Sequence, residues 1–341
     1  DQMRKFLPRV LFSLSLLSAL SCSPDVQSAE AGTTTFTNPI LPAPSADPWM
    51  VRHNGRYYLS ESHDNAIIIR SSERAYSIVQ DPGKQVWHAP ATGPNCDEIW
   101  APELHQIGNR WYIYFAADDG KNENHRMWVL SSAGDDPLGP YDSCAQLATG
   151  GWAIDGTVLN GEDGKLYFIW SGWPGKVDGM QQLYIAPMES PVKITASRTL
   201  LTTPTQPWER QAMPICEGPE ILNHAGKVFL VYSASGSWTR HYCLGMLVNE
   251  DGQFLNPSSW TKMGPVFTGA DSVFGVGHCS FIPSPDGMER WIIYHAKEKS
   301  TDGWEDRSVR MQKFTWDGAG YPQFGKPVAP HVPLPIPSEG H

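Results

Sequence analysis

The sequence predicts an all-β protein, a five-bladed β-propeller, and three observations carry that expectation. First, a turn residue followed by an aromatic and β-branched run recurs five times, at Asn54–Ser60, Gly108–Ala116, Gly164–Ser171, Gly226–Ser233 and Gly287–His295. Second, the glycines of these copies, Gly55, Gly108, Gly164, Gly226 and Gly287, are spaced 53, 56, 62 and 61 residues apart. That period holds four short strands with their turns, and radial packing of such sheets hides strand edges in an all-β chain. Third, no long amphipathic helical pattern interrupts the series, while Val, Ile, Tyr, Phe and Trp fill the runs as strands prefer.

A polar residue stands upstream of each copy: Asp47, Glu103, Asp155, Glu217 and His278. Four of the five lie eight or nine residues before their glycine, and Glu103 lies five before. The first strand of a blade lines the axis, so these side chains are expected to converge at one end of the central channel. The proline-rich tail from Pro322 onward is expected to cross the propeller face or close against the segment around Phe36 to Pro42. One catalytic domain, residues 36–335, accounts for the chain.

Ahead of it, Met3, Arg4, Lys5 and Arg9 precede the apolar run Val10–Leu20, which reads as an export signal over residues 3–31, its end not fixed by the sequence. Asp1 and Gln2 read as a remnant foreign to it. The run is short for a membrane span, and a membrane association would require lipidation of Cys22. The expected location is secreted or extracytoplasmic. Of the six cysteines, five remain beyond the signal, an odd and scattered set that is no disulfide framework, although Cys96 and Cys144 could pair. A formal charge of −10 without a basic run argues against a nucleic-acid partner. Nothing in the sequence sets an oligomeric state.

Three carboxylates at a channel mouth suit hydrolysis of a glycosidic bond. That reaction needs one carboxylic acid to protonate the departing oxygen and one carboxylate to activate water or attack the sugar. Crowding Asp47, Asp155 and Glu217 raises at least one pKa by like-charge repulsion, which separates acid from base. Pro48 and Pro219 stiffen the backbone beside Asp47 and Glu217. Glu217 and Glu220, three apart, would point to opposite faces of a regular strand. Glu217 shares its glycine offset with His278 and is therefore preferred as the acid, with Glu220 in a supporting or salt-bridging place. Glu103 is either a substrate ligand or an interior charge paired with Arg110 or Arg126. Trp49, Trp100, Trp152, Trp170, Trp173 and Trp238 lie near the expected pocket, where indoles stack on sugar rings or fill the core; Trp100 is the first choice for stacking. No metal-binding signature of the HExxH or calcium-loop kind is present.

The stretches Ala46-Asp47-Pro48, Ile99–His105, Trp152–Thr157, Glu217-Gly218-Pro219-Glu220 and Gly277-His278 resemble glycoside hydrolase family 43, and the resemblance runs from about Asn38 to Ala329. It implies a five-bladed propeller that hydrolyses with inversion, using water directly. It implies Asp47 as general base, Glu217 as general acid and Asp155 as the carboxylate that orients the acid and tunes its pKa. His278 matches a histidine that faces a central calcium or sodium ion through water, a structural ion and not one required for the chemistry. Arg307 is similar to a basic residue that reaches substrate, with Arg310 as the alternative. Glu123–Arg126, Asp136–Pro140, Trp170–Trp173 and Tyr232–Gly236 resemble the α-L-arabinofuranosidase branch. The implied partners are arabinose-containing oligosaccharides or polysaccharides, with Trp100, Glu103, Trp173, His278 and Arg307 as substrate contacts. A β-D-xylosidase, an endo-arabinanase and a non-catalytic sugar-binding propeller share the same architecture. Cys279 stands where related chains carry asparagine.

Overall fold

The computed structural model describes residues 32–340. From Thr34 the chain forms one compact unit. The expected signal segment and Cys22 lie outside the described residues.

Five antiparallel sheets follow one another, and each is a meander whose first strand is innermost. The inner strands of blades I to V are Trp49–His53, Asp97–Ile107, Ala153–Asn160, Cys216–His224 and Phe274–Pro283. The second strands are Arg56–His63, Arg110–Asp118, Leu166–Gly172, Lys227–Ala234 and Arg290–Lys297, the runs that the repeat marked. The turns between them place all five repeat glycines at positive φ, from 62° to 77°, a conformation that costs glycine nothing. Blade III carries one extra strand, Thr199–Thr202, against Gln182–Ser190. Helical structure among the described residues is limited to four short 3₁₀ turns, none long and apolar enough to cross a membrane.

The second strands read as continuous apolar runs because both of their faces are buried between neighbouring blades; Arg110–Asp118 is buried at every position after the first. Five hydrophobic clusters result, one per blade junction. Tyr58, Leu104 and Ile113 belong to the junction of blades I and II, and Tyr114, Trp152 and Trp170 to that of II and III. Leu159, Leu230 and Tyr232 fill the next, Phe229, Val276 and Phe314 the fourth. The fifth, between blades V and I, gathers Met50, Leu59, Ile293 and Met311. Outer strands are more open, Tyr141–Gln146 having no fully buried residue.

The ring is closed at that last junction. Thr35–Phe36 pairs antiparallel with Leu334–Pro335. Buried Asn38 donates to the Met311 carbonyl at 2.8 Å and accepts from the Met311 amide at 2.9 Å. Cys96 and Cys144 are both free thiols and do not form the bridge their number allowed.

Candidate active site

The inner strands of blades II to V depart from regular pairing near the channel mouth. In blade IV, Glu217 faces Ser233 and Glu220 faces Val231, so three steps on one strand oppose two on the other. The same excess residue occurs between Trp100 and Glu103, Ile154 and Thr157, and Gly277 and Ser280. A β-bulge of this kind re-aims a side chain and sharpens the local twist. A left-handed residue marks the place in every blade: Asp47 (φ 51°), Ala101 (48°), Asp155 (57°), Gly218 (56°) and His278 (50°). For non-glycine residues this backbone costs about 1–2 kcal/mol each. The surrounding sheet imposes it and thereby presents Asp47, Asp155 and His278 side by side.

The bulge corrects two expectations. Glu217 is in register with Gly277, one residue ahead of His278, so the two do not occupy equivalent positions. Glu217 and Glu220 do not point to opposite faces: the extra residue restores their parity and turns both toward the axis. Glu220 forms a deeper layer with Glu103, Thr157 and Ser280, the residues after the bulges of blades II, III and V, and with Trp49, the first residue of the regularly paired strand of blade I.

Asp47, Asp155 and Glu217 line one cavity of about 570 Å³ together with Trp100, Trp238 and Arg307. Asp47 keeps 28% of its side chain open. Its carboxylate lies 3.1 Å from His278 Nδ1, 3.4 Å from His295 Nδ1 and 3.6 Å from an Arg307 Nη. Burial alone would raise the Asp47 carboxyl, but the charges of His278 and Arg307 hold it well below the usual carboxylate range. Glu217 has the reverse balance: burial, reinforced by the charge of Asp155, pushes it well above the ordinary value. Asp155 is also raised by burial, and it accepts a hydrogen bond from the Gly218 amide at 3.1 Å while contacting the Glu217 carboxyl. The surroundings therefore favour the carboxylate at Asp47 and the carboxylic acid at Glu217 across one cavity.

Two buried imidazoles divide the labour around Asp47. His278 would be neutralised by burial, but Asp47 and Asp155 raise it to about 10. His295, lowered by burial to about 4, stays neutral and accepts a hydrogen bond from the Asp47 amide at 3.1 Å. Tyr242, buried and stacked 5.5 Å from His295, completes the wall.

The other expected substrate contacts separate. Trp100 lines the cavity with its indole stacked 4.0 Å from His125 and its Nε1 donating to Glu98. Arg307 also lines it, whereas Arg310 is fully buried beside Ser308 and Glu298. Trp173 is not a contact: it is 3% exposed and stacked on Trp152, which itself reaches the cavity. Glu103 is not one either, nor does it pair with Arg110 or Arg126. It is buried below the mouth, 2.8 Å from His105 and against the raised carboxyl of Glu220. His278 is 4% exposed and reaches Asp47 rather than the cavity.

The residues offer a cation little. Among the described residues no group of three or more His, Cys, Asp or Glu side chains is arranged to hold a metal. His278 Nδ1 is committed to Asp47, so a channel ion would meet at most an outer contact through Nε2.

His295, Tyr242 and Trp304 escaped the sequence reading. His295 had a signal: Ala116, Ser171 and Ser233 hold its place opposite the bulge in blades II to IV, and only blade V puts an imidazole there. Tyr242 and Trp304 lie on segments outside the repeat and carried none.

Known proteins match this architecture over nearly all of the described chain. The profile of glycosyl hydrolases family 43 matches residues 36–322. An extracellular exo-α-(1→5)-L-arabinofuranosidase of Streptomyces avermitilis is 36% identical over 95% of this chain and 70% of its own length. A protein of the same description from Streptomyces chartreusis is 33% identical over 82% of this chain and 88% of its own. The crystal structure of an α-L-arabinofuranosidase from Lactobacillus brevis superposes with a TM-score of 0.81 at 32% identity, covering 87% of this chain and 98% of the other. With the five-bladed fold and the acid-lined mouth in place, the chain belongs to glycoside hydrolase family 43.

Proposed function

We propose that this protein is an inverting, exo-acting α-L-arabinofuranosidase that releases terminal L-arabinose from arabinan or arabino-oligosaccharides, including 1,5-linked ones. The observation that carries the reading is that Asp47 and Glu217 line one cavity in opposed surroundings, Asp47 beside the cations His278 and Arg307 and Glu217 buried against Asp155, which favours a base at one and an acid at the other. The relatives named for exo-α-(1→5)-L-arabinofuranosidase activity supply the sugar.

In this mechanism Asp47 removes a proton from a water molecule as its oxygen attacks the anomeric carbon. The glycosidic bond breaks on the opposite side, and Glu217 passes its proton to the departing oxygen. Asp47 then carries the proton taken from water and Glu217 is ionised; exchange with solvent resets both. Asp155 orients Glu217 and keeps its pKa high through like charge. His278 and Arg307 keep Asp47 ionised, and His295 fixes its backbone by accepting the Asp47 amide. No cofactor enters any step.

The proposal includes a single catalytic domain over residues 36–335, an export signal over residues 3–31 and an extracytoplasmic location, which the word extracellular in the relatives' names supports. Proton NMR of the first product tests the mechanism: an inverting enzyme releases β-L-arabinofuranose first, and initial release of the α anomer refutes direct displacement. Glu217→Ala should depress hydrolysis of poor leaving groups far more than of activated aryl ones. Equal losses on both remove Glu217 from the acid role.

A further inference from the structure

Trp304 is half exposed, at 50%, in a protein that buries most of its large aromatic side chains. It sits on the loop between the second and third strands of blade V and reaches across to blade IV, meeting Trp238 edge to face at 5.6 Å and 67°. The loop is fastened from several sides. Trp304 Nε1 donates to Ser237 Oγ at 2.9 Å, the Gly303 amide donates to the Trp238 carbonyl at 2.8 Å, and Lys297 Nζ pairs with Asp306 at 2.6 Å. Arg307 Nε donates to the Trp304 carbonyl at 2.9 Å. An indole kept in water by so many bonds loses no further freedom when a ligand covers it, which favours binding there.

Both indoles line the cavity that holds Glu217. Asp155 and Glu217 are 4% and 9% exposed whereas Trp304 is half exposed, so a terminal sugar seated on the acids fills the bottom of the cavity and leaves the departing sugar at the rim, where the two indoles stand. Trp152 and Trp100, from blades III and II, line the same cavity from other blades.

We propose that Trp304 and Trp238 form an aromatic corner that stacks the first sugar of the leaving group, making the enzyme favour oligosaccharides over arabinosides with small aglycones. The inference rests on the arabinofuranosidase reading. It assigns Trp304 a role in substrate selection and none in bond cleavage.

The test compares linear 1,5-arabinotriose with α-L-arabinofuranosyl fluoride, whose leaving group is a single atom. Trp304→Ala should lower kcat/KM on the trisaccharide about tenfold, mainly through KM, which corresponds to about 1.4 kcal/mol. The fluoride should change less than about twofold, because the main-chain carbonyl that holds Arg307 is retained. Trp304→Phe should recover most of the loss. Equal losses on both substrates, or no loss on either, overturn the corner. Calorimetric titration of arabinotriose into Glu217→Gln, with and without Trp304→Ala, reads the corner without turnover. A wild-type protein inert toward both substrates would refute the enzymatic reading, whereas unchanged binding in that titration refutes the corner.

Discussion

Replacing His278 by asparagine should shift the acid limb of the pH–rate profile upward. Asparagine suits the position because it tolerates the left-handed backbone, φ 50° here, and its amide can still donate toward Asp47. What it lacks is charge. The rise of His278 from 6.5 to about 10 corresponds to roughly 5 kcal/mol in favour of the imidazolium, net of the opposing effect of burial. Asp47 and Asp155 supply most of that attraction, and Asp47 is the closer, at 3.1 Å. An opposite charge at this distance lowers a carboxyl by about 1–3 pH units, so removing it should raise Asp47 by about one unit or more. Asp47 must be ionised to act as base, so activity falls as pH falls through its pKa, and losing the neighbouring cation moves that fall to higher pH. The assay is kcat/KM on an aryl arabinofuranoside across pH, with unfolding monitored in parallel. An acid limb that stays in place while the rate drops uniformly would show that His278 acts by shape alone.

Further outcomes follow from the same geometry. Because the folded pKa of His278 lies above its unfolded value, the pair with Asp47 stabilises the protein fully below pH 6.5 and loses that contribution as pH rises toward about 10; thermal unfolding should decline over this window in the wild type and less in His278→Asn. His295 works in the opposite sense: lowered to about 4, its contribution is complete above pH 6.5 and disappears as pH falls through 4, so His295→Gln should soften acid unfolding. Gly218→Ala should cost about 1–2 kcal/mol in denaturant titration, since φ is +56° and a Cβ would stand 3.1 Å from Ser233 Oγ and 3.4 Å from His278 Nδ1. Glu209→Ala should cost about 3–5 kcal/mol, because the fully buried carboxylate binds Lys262 at 2.8 Å, Tyr232 at 2.5 Å and the amides of Thr205 and Gln206; unchanged stability would refute its place as an anchor.

The repeat was legible because a propeller blade must restate its own physics. A strand buried on both faces needs an unbroken apolar run, and a tight hairpin needs a glycine before it, so Gly164–Ser171 and Gly226–Ser233 reveal themselves without coordinates. The convergence of Asp47, Asp155, Glu217 and His278 follows from that repeat. Trp173 was misread because an indole that packs on Trp152 and one that faces a sugar have the same sequence signature. Glu103 was misread because its offset from Gly108 differs from that of its counterparts, and the position beside Asp47 and Asp155 in blade II belongs to Ala101.

By itself the sequence determined the number of blades, the inner strands and which acids share the channel mouth, because these depend on periodicity along one chain. Only the tertiary structure decided where each side chain points. A residue inserted near the mouth in the inner strands of blades II to V reverses the alternation that a strand pattern assumes, turning Glu220 inward beneath Glu217 and leaving Asp155 at the mouth. The charged partners that lower Asp47 of blade I, His278 and Arg307 of blade V, meet it only where the ring closes.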